Sequence, residues 1–167
     1  SFNRALLRAC VDQAPPSLRI ETFELHELPL YNGDVEDAGD PPTVVRLKES
    51  IAEADGLLVV TPEYNHGVPA VTKNAIDWAS RPPERVLSEK PVAITGASPG
   101  MTGTARAQSS LRQSLASVNA FVMQSPGLLV SKAHEKFDDN RALVDETTVE
   151  FLEKFLTSFE AWVHRFS

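Results

Sequence analysis

Gly56-Leu57-Leu58-Val59-Val60-Thr61 is an unbroken apolar run, and it stops abruptly at Pro62-Glu63-Tyr64-Asn65-His66-Gly67. A run of this length without polar alternation marks a strand covered on both faces, as in a parallel sheet. The polar turn closes at Gly67, and residues 68–79 then read as a helix that ends before Arg81-Pro82-Pro83. Buried strand, polar loop and helix, in that order, form the repeating unit of an α/β protein.

The same rhythm extends in both directions. Upstream, residues 43–55 are amphipathic, with Val44, Leu47, Ile51 and Ala54 on one face. Residues 31–42 are rich in Gly, Asp and Pro and read as a loop. Residues 18–25 alternate Leu18, Ile20 and Thr22 and are expected as a strand. Residues 3–11 read as a helix with Asn3 as its N-cap and Leu6, Leu7, Cys10 and Val11 as its apolar side. Downstream, residues 91–95 form a second short buried strand, followed by the turn Gly96-Ala97-Ser98-Pro99-Gly100-Met101-Thr102-Gly103. A helix over 104–118, a strand over 120–124, a polar loop over 132–140 and a closing helix over 147–166 complete the series. The order α-β-α-β-α-β-α-β-α predicts a single α/β domain over 1–167, a parallel sheet doubly wound with helices on both faces. Such sheets open on a strand, whereas a helix comes first here, so the first strand is expected to be missing from the given chain.

Composition narrows the function. Sixteen Lys and Arg stand against 23 Asp and Glu, a net charge of −7, which argues against a nucleic-acid partner. The single cysteine, Cys10, allows neither an internal disulfide nor a cysteine-based metal site, and a lone thiol suits a cytoplasmic location. No apolar run approaches the roughly 20 residues that span a bilayer, so no membrane partner is expected. His26, His66, His134 and His164 show no metal-ligand spacing, and no metal is expected.

In doubly wound sheets, ligands lie beyond the carboxyl ends of the strands. Three segments there could carry chemistry. Ser1-Phe2-Asn3 opens a helix whose free N–H groups suit an anion. Residues 61–67 place Glu63, Tyr64, Asn65 and His66 at the ligand edge, where amide groups can read a flat heterocycle and Tyr and Pro can pack against it. Residues 96–103 carry three glycines that let backbone approach a ligand closely, without matching the Walker or dinucleotide patterns. Gly96-x-Ser98-x-Gly100 also fits a nucleophile elbow, with Asp145 and His164 following in hydrolase order. The residue after Ser98 is Pro99, however, which lacks the N–H that an oxyanion hole needs.

The run Thr61-Pro62-Glu63-Tyr64-Asn65-His66-Gly67-Val68-Pro69, continued by Lys73-Asn74-Ala75-Ile76-Asp77-Trp78, resembles the NADPH-dependent FMN reductase family, which includes quinone, chromate and azo-dye reductases. Ser1-Phe2-Asn3 resembles the end of that family's phosphate loop. Gly96 through Gly103, with Arg106-Ala107-Gln108 and Leu111-Arg112, resembles its third flavin loop. The resemblance implies a flavodoxin-like sheet of order 2-1-3-4-5. It also implies that Ser1 and Asn3 hold the FMN phosphate, that Pro62, Glu63, Tyr64 and Asn65 line the isoalloxazine, and that Ser98, Gly100 and Gly103 approach its other side or rim. By the same resemblance, NADPH or NADH reduces FMN, which then passes two electrons to a small-molecule acceptor: a quinone-like, azo or metal-oxyanion compound. No catalytic side chain is required, because the flavin carries the chemistry. The implied assembly is a homodimer or homotetramer. A one-electron flavodoxin-like carrier and a serine hydrolase using Ser98 are the alternatives.

Overall fold

The computed structural model describes residues 1–166. Its sheet consists of β1 (Leu57–Val60), β2 (Pro91–Ala97), β3 (Phe121–Val122) and β4 (Leu128–Val130), all parallel to β2 where they pair with it. Around it stand α1 (Phe2–Asp12), α2 (Gly33–Asp37), α3 (Pro42–Glu53), α4 (Ala70–Ala79), α5 (Ala105–Ser117), α6 (Ala133–Lys136) and α7 (Glu146–Val163). The centre is β2, buried along its whole length. On one side it pairs with β1, Leu57 opposite Val92 through Val60 opposite Thr95. On the other side, β3 meets Pro91–Val92 and β4 meets Thr95–Ala97, so these two short strands share one position in the sheet.

Successive β2 side chains point to opposite faces, and each face has its own core. Val92 and Ile94 pack with Leu47 and Ile51 of α3, Ile76 and Ala79 of α4, and Leu111 and Leu115 of α5. Ala93 and Ala97 face Leu6 and Cys10 of α1 and Leu152, Phe155, Leu156 and Phe159 of α7. The small alanines let α1 and α7 lie close to the sheet. Fully buried Leu6, Leu152 and Phe155 contribute roughly 1.5–3 kcal/mol each by leaving water. The doubly wound α/β architecture is thus the expected one, and the order β1-β2-β3/β4 agrees with the last three positions of a flavodoxin-like sheet.

Several local expectations need correction. Residues 18–25 form no strand: Leu18 and Ile20 join one core and Phe23 and Leu25 the other, as in a strand, but no ladder holds them. The side chains of β1 are half-buried rather than buried, because only one of its edges is paired among the described residues. The N-cap of α1 is Ser1, not Asn3. The second strand runs on to Ala97, so the turn begins at Ser98. The strand expected over 120–124 is two residues long; Ser125-Pro126-Gly127 interrupts the ladder, and it resumes at β4. The loops expected at 31–42 and 132–140 contain α2 and α6.

Helix α4 shows what most of the motif over residues 73–78 does. Asn74 Nδ2 and Trp78 Nε1, one turn apart, both donate to the Pro29 carbonyl at 2.8 and 2.9 Å. Asn74 Oδ1 accepts from the Tyr31 N–H at 2.8 Å, and the Tyr31 ring stands edge-on to Trp78 at 4.9 Å. The breadth of apolar surface on this helix is therefore covered on two sides within the protein, by the sheet core and by residues 29–31. Val71 remains exposed.

Candidate functional site

At the carboxyl end of the sheet, residues 1–3, 62–64 and 97–99 line a cleft of about 180 Å³. The fold thus brings together Ser1, Asn3, Pro62, Glu63, Tyr64 and Ser98 from three segments distant in sequence. Asn65 lies at the exposed tip of the adjoining turn, Gly100 is exposed beside Ser98, and Gly103 is buried away from the cleft. Phe2 and Pro99 also line it, although their composition gave no polar signal; only their places beside Ser1 and Ser98 could have singled them out. The volume is below the ~300–1,000 Å³ of complete ligand pockets, so the cleft is the floor of an open site. A larger groove of about 410 Å³ lies over Glu24, Glu27, Glu49 and Glu53, but none of the three segments reaches it.

The N-terminus of α1 faces this cleft with no side-chain cap and no acidic residue in its first turn. Its N–H groups and positive dipole end suit a phosphate. Asn3 is engaged at both ends of its amide. Nδ2 donates to the Ala97 carbonyl at 2.8 Å, and Oδ1 accepts from the Ala97 N–H at 2.8 Å. The side chain thereby ties the start of α1 to the end of β2.

Residues 64–67 form a tight turn in which Tyr64 and Gly67 exchange two backbone bonds of 3.0 and 3.2 Å. Both central residues are left-handed, Asn65 at φ 51° and His66 at φ 63°, the signature of a type I′ turn. This geometry pushes the Tyr64 ring outward, 64% exposed, beside Pro62. Glu63 turns the other way. Its Oε2 accepts from the Arg106 and Ala107 N–H groups at 2.9 and 3.0 Å, at the start of α5. Its Oε1 faces His66 Nδ1 at 3.5 Å and Arg106 Nη1 at 3.8 Å. Burial pushes this carboxyl up, but the bonds from Ala107, His66 and Arg106 outweigh it and hold it below the usual glutamate value.

The third segment is braced against β4 and α6. Ser98 N–H donates to the Val130 carbonyl, the Ser98 carbonyl accepts from Ala133 N–H, and Ser98 Oγ accepts from Gly100 N–H at 3.0 Å. Gly96 serves packing rather than a ligand: a Cβ there would lie 2.0 Å from the Thr61 carbonyl oxygen and 2.5 Å from Thr104 Oγ1. Gly103 is required twice over, by φ +61° and by Leu129 3.1 Å from its missing Cβ. The hydrolase constellation is not assembled. Asp145 caps the start of α7 and His164 its end, about 28 Å apart for a helix of this length.

The family model for NADPH-dependent FMN reductases matches residues 1–135. An NAD(P)H-dependent FMN reductase of Pseudomonas aeruginosa is 45% identical over 165 residues, 99% of this chain and 89% of the relative. A 2-hydroxy-1,4-benzoquinone reductase of Burkholderia sp. is 42% identical, covering 98% of this chain and 89% of that protein. Among solved structures, the flavoenzyme NAD(P)H:(acceptor) oxidoreductase FerB of Paracoccus denitrificans superposes with a TM-score of 0.91 at 36% identity, over 99% of this chain and 91% of that one.

Proposed function

The chain belongs to the NADPH-dependent FMN reductase family, enzymes that bind FMN and use reduced nicotinamide as cosubstrate, and from that premise we propose that its acceptor is a quinone. The observation that carries the reading is the cleft itself, where an uncapped helix end meets an aromatic and proline-lined wall. An anion at one end and a flat ring at the other are the two halves of FMN. FMN held there would supply the redox chemistry, a two-electron exchange between reduced nicotinamide and the acceptor.

The residues of this chain bind and orient. Ser1 and the first-turn N–H groups of α1 would hold the phosphate, and Asn3 ties that helix end to the end of β2. Pro62, Tyr64 and Asn65 would line the ring from the side of β1, with Glu63 tying their backbone to the start of α5. Ser98, Gly100 and Gly103 belong to the segment at the opposite rim. Exposed Tyr64 leaves one side of the site open to a flat acceptor such as a quinone. The same openness suits azo compounds and metal oxyanions as further acceptors. The relative from Burkholderia, named for a benzoquinone, supports the quinone class.

Tyr64, Met101 and Leu129 are large exposed apolar side chains on β4 or on the turns that follow β1 and β2. A second copy of the chain covering them would make a homodimer or homotetramer with the site near the boundary. No helix among the described residues is long and apolar enough to cross a membrane. We place the enzyme in the cytoplasm, where reduced nicotinamide is supplied.

Steady-state NADPH oxidation by the FMN-loaded protein, with and without 1,4-benzoquinone, tests the reading. Quinone-dependent turnover yielding one quinol per NADPH is expected. A protein that holds FMN but turns over no NADPH with any acceptor would be an electron carrier instead.

A further inference from the structure

We infer that Glu63 is a positioning residue: its carboxylate acts as a detached N-cap for α5 and through that bond fixes the wall of the flavin cleft, without touching the flavin. The inference rests on the FMN reading above.

Helix α5 does not cap itself. Its N-cap residue, Thr104, makes no side-chain bond to the first turn, and Thr104 Oγ1 accepts from Gln108 Nε2 at 3.0 Å instead. The orphan N–H groups that an N-cap normally satisfies are those of the second and third helical residues. In α5 these are Arg106 and Ala107, and one oxygen of Glu63 accepts from both. A carboxylate there also opposes the positive end of the helix dipole. The second oxygen faces His66 and Arg106. The side chain is only 8% exposed, and the contacts of both oxygens run to the start of α5 and to His66.

The cap arrives from 43 residues away, so one bond does two things. It closes the first turn of α5, and it anchors the backbone between Pro62 and Tyr64, which lines the cleft. Neighbouring Tyr64 and Asn65 are exposed and follow wherever that backbone is held. Losing the bond would therefore release the ring wall and the helix start together.

The test uses Glu63→Ala, Glu63→Gln and Glu63→Asp in the whole protein. Three quantities are measured: FMN affinity by fluorescence titration, the two-electron potential of the bound flavin, and hydrogen exchange of the Arg106 and Ala107 amides without FMN. Glu63→Ala is expected to weaken FMN roughly tenfold, the effect of losing a helix cap, and to speed exchange at both amides. Glu63→Gln keeps an acceptor oxygen of the same reach and should stay within about threefold of wild type. Glu63→Asp keeps the charge but falls short by one methylene, and should behave like Glu63→Ala, which also covers the case in which the alanine variant fails to fold. Glu63→Gln, which keeps the wall in place, should also leave the potential of the bound flavin near the wild-type value. A potential shifted in Glu63→Gln, Gln as damaging as Ala, or Asp as good as wild type would each overturn the positioning role. If wild type takes up no FMN, the functional reading fails, while amide exchange in the apo protein still decides whether Glu63 caps α5.

Discussion

At Asn65 and His66 the backbone enters the left-handed region twice in succession, at φ 51° and 63°. This decides how the residue most suggestive of flavin contact should be tested. Asn tolerates that conformation, whereas Ala there costs roughly 1–2 kcal/mol of strain. Asn65→Ala would thus mix a turn defect with the loss of a side chain. Asn65→Gly keeps the turn and is expected to leave the melting temperature near wild type while weakening FMN by about 0.5–1.5 kcal/mol, one hydrogen bond. Thermal melts beside FMN titrations of both variants check this; equal melting temperatures for Ala and Gly would contradict the turn argument. Asn3 carries a structural load that its place in the motif did not reveal, because the Ala97 groups it bonds lie 94 residues on. Asn3→Ala leaves the Ala97 N–H and carbonyl unpaired and should cost roughly 1–3 kcal/mol in urea unfolding. Ser98 lacks a base, an acid partner and a donor N–H at position 99, so a serine-directed phosphonate should leave it unlabelled.

The helices α1, α3, α4, α5 and α7 were legible because an apolar stripe at helical spacing is a local property of the chain. Residues 18–25 have the alternation of a strand yet form none, since a ladder needs a neighbour that no local pattern specifies. The division into β3 and β4 is hidden from the sequence for a related reason. Pro126 interrupts a strand whose second half, Leu128–Val130, is only three residues long. Capping was legible where it is local and hidden where it is not. Glu63 caps α5 across the fold, while Asp145 caps α7 directly, accepting from Thr148 N–H at 2.9 Å. The bonds from Thr148, first its hydroxyl and then its N–H, together with Lys136, bring the Asp145 carboxyl from 3.8 to about 2. A carboxyl lowered on folding stabilises the fold above its unfolded value, and that contribution fades as pH falls through about 2. Urea midpoints between pH 5 and pH 2 should therefore decline more steeply for wild type than for Asp145→Asn. Parallel curves would show that the α7 cap is not an acid-labile element.

For the whole molecule, the meeting of the three segments was legible from topology: segments that follow strands or open a helix were expected at one edge, and residues from all three line one cleft. Which side-chain atoms are committed to the protein was not legible, as the bonds of Glu63 and Asn3 and the packing at Gly96 show. The exposed Tyr64, at 64%, and Met101, at 76%, lie on segments beside that cleft and suit an interface between copies. Light scattering of the flavin-loaded protein should accordingly give a multiple of the monomer mass, and an active monomer would remove the assembly from the account. The central claim, that this fold binds FMN and receives hydride from reduced nicotinamide, is tested most directly by the visible spectrum of the purified protein. The protein is incubated with FMN, freed of excess by gel filtration, and treated anaerobically with NADPH. The account predicts flavin bands that co-migrate with the protein, bleach on adding NADPH, and return on adding a quinone. A protein that emerges colourless, or one whose bound FMN stays oxidised in NADPH, would contradict it.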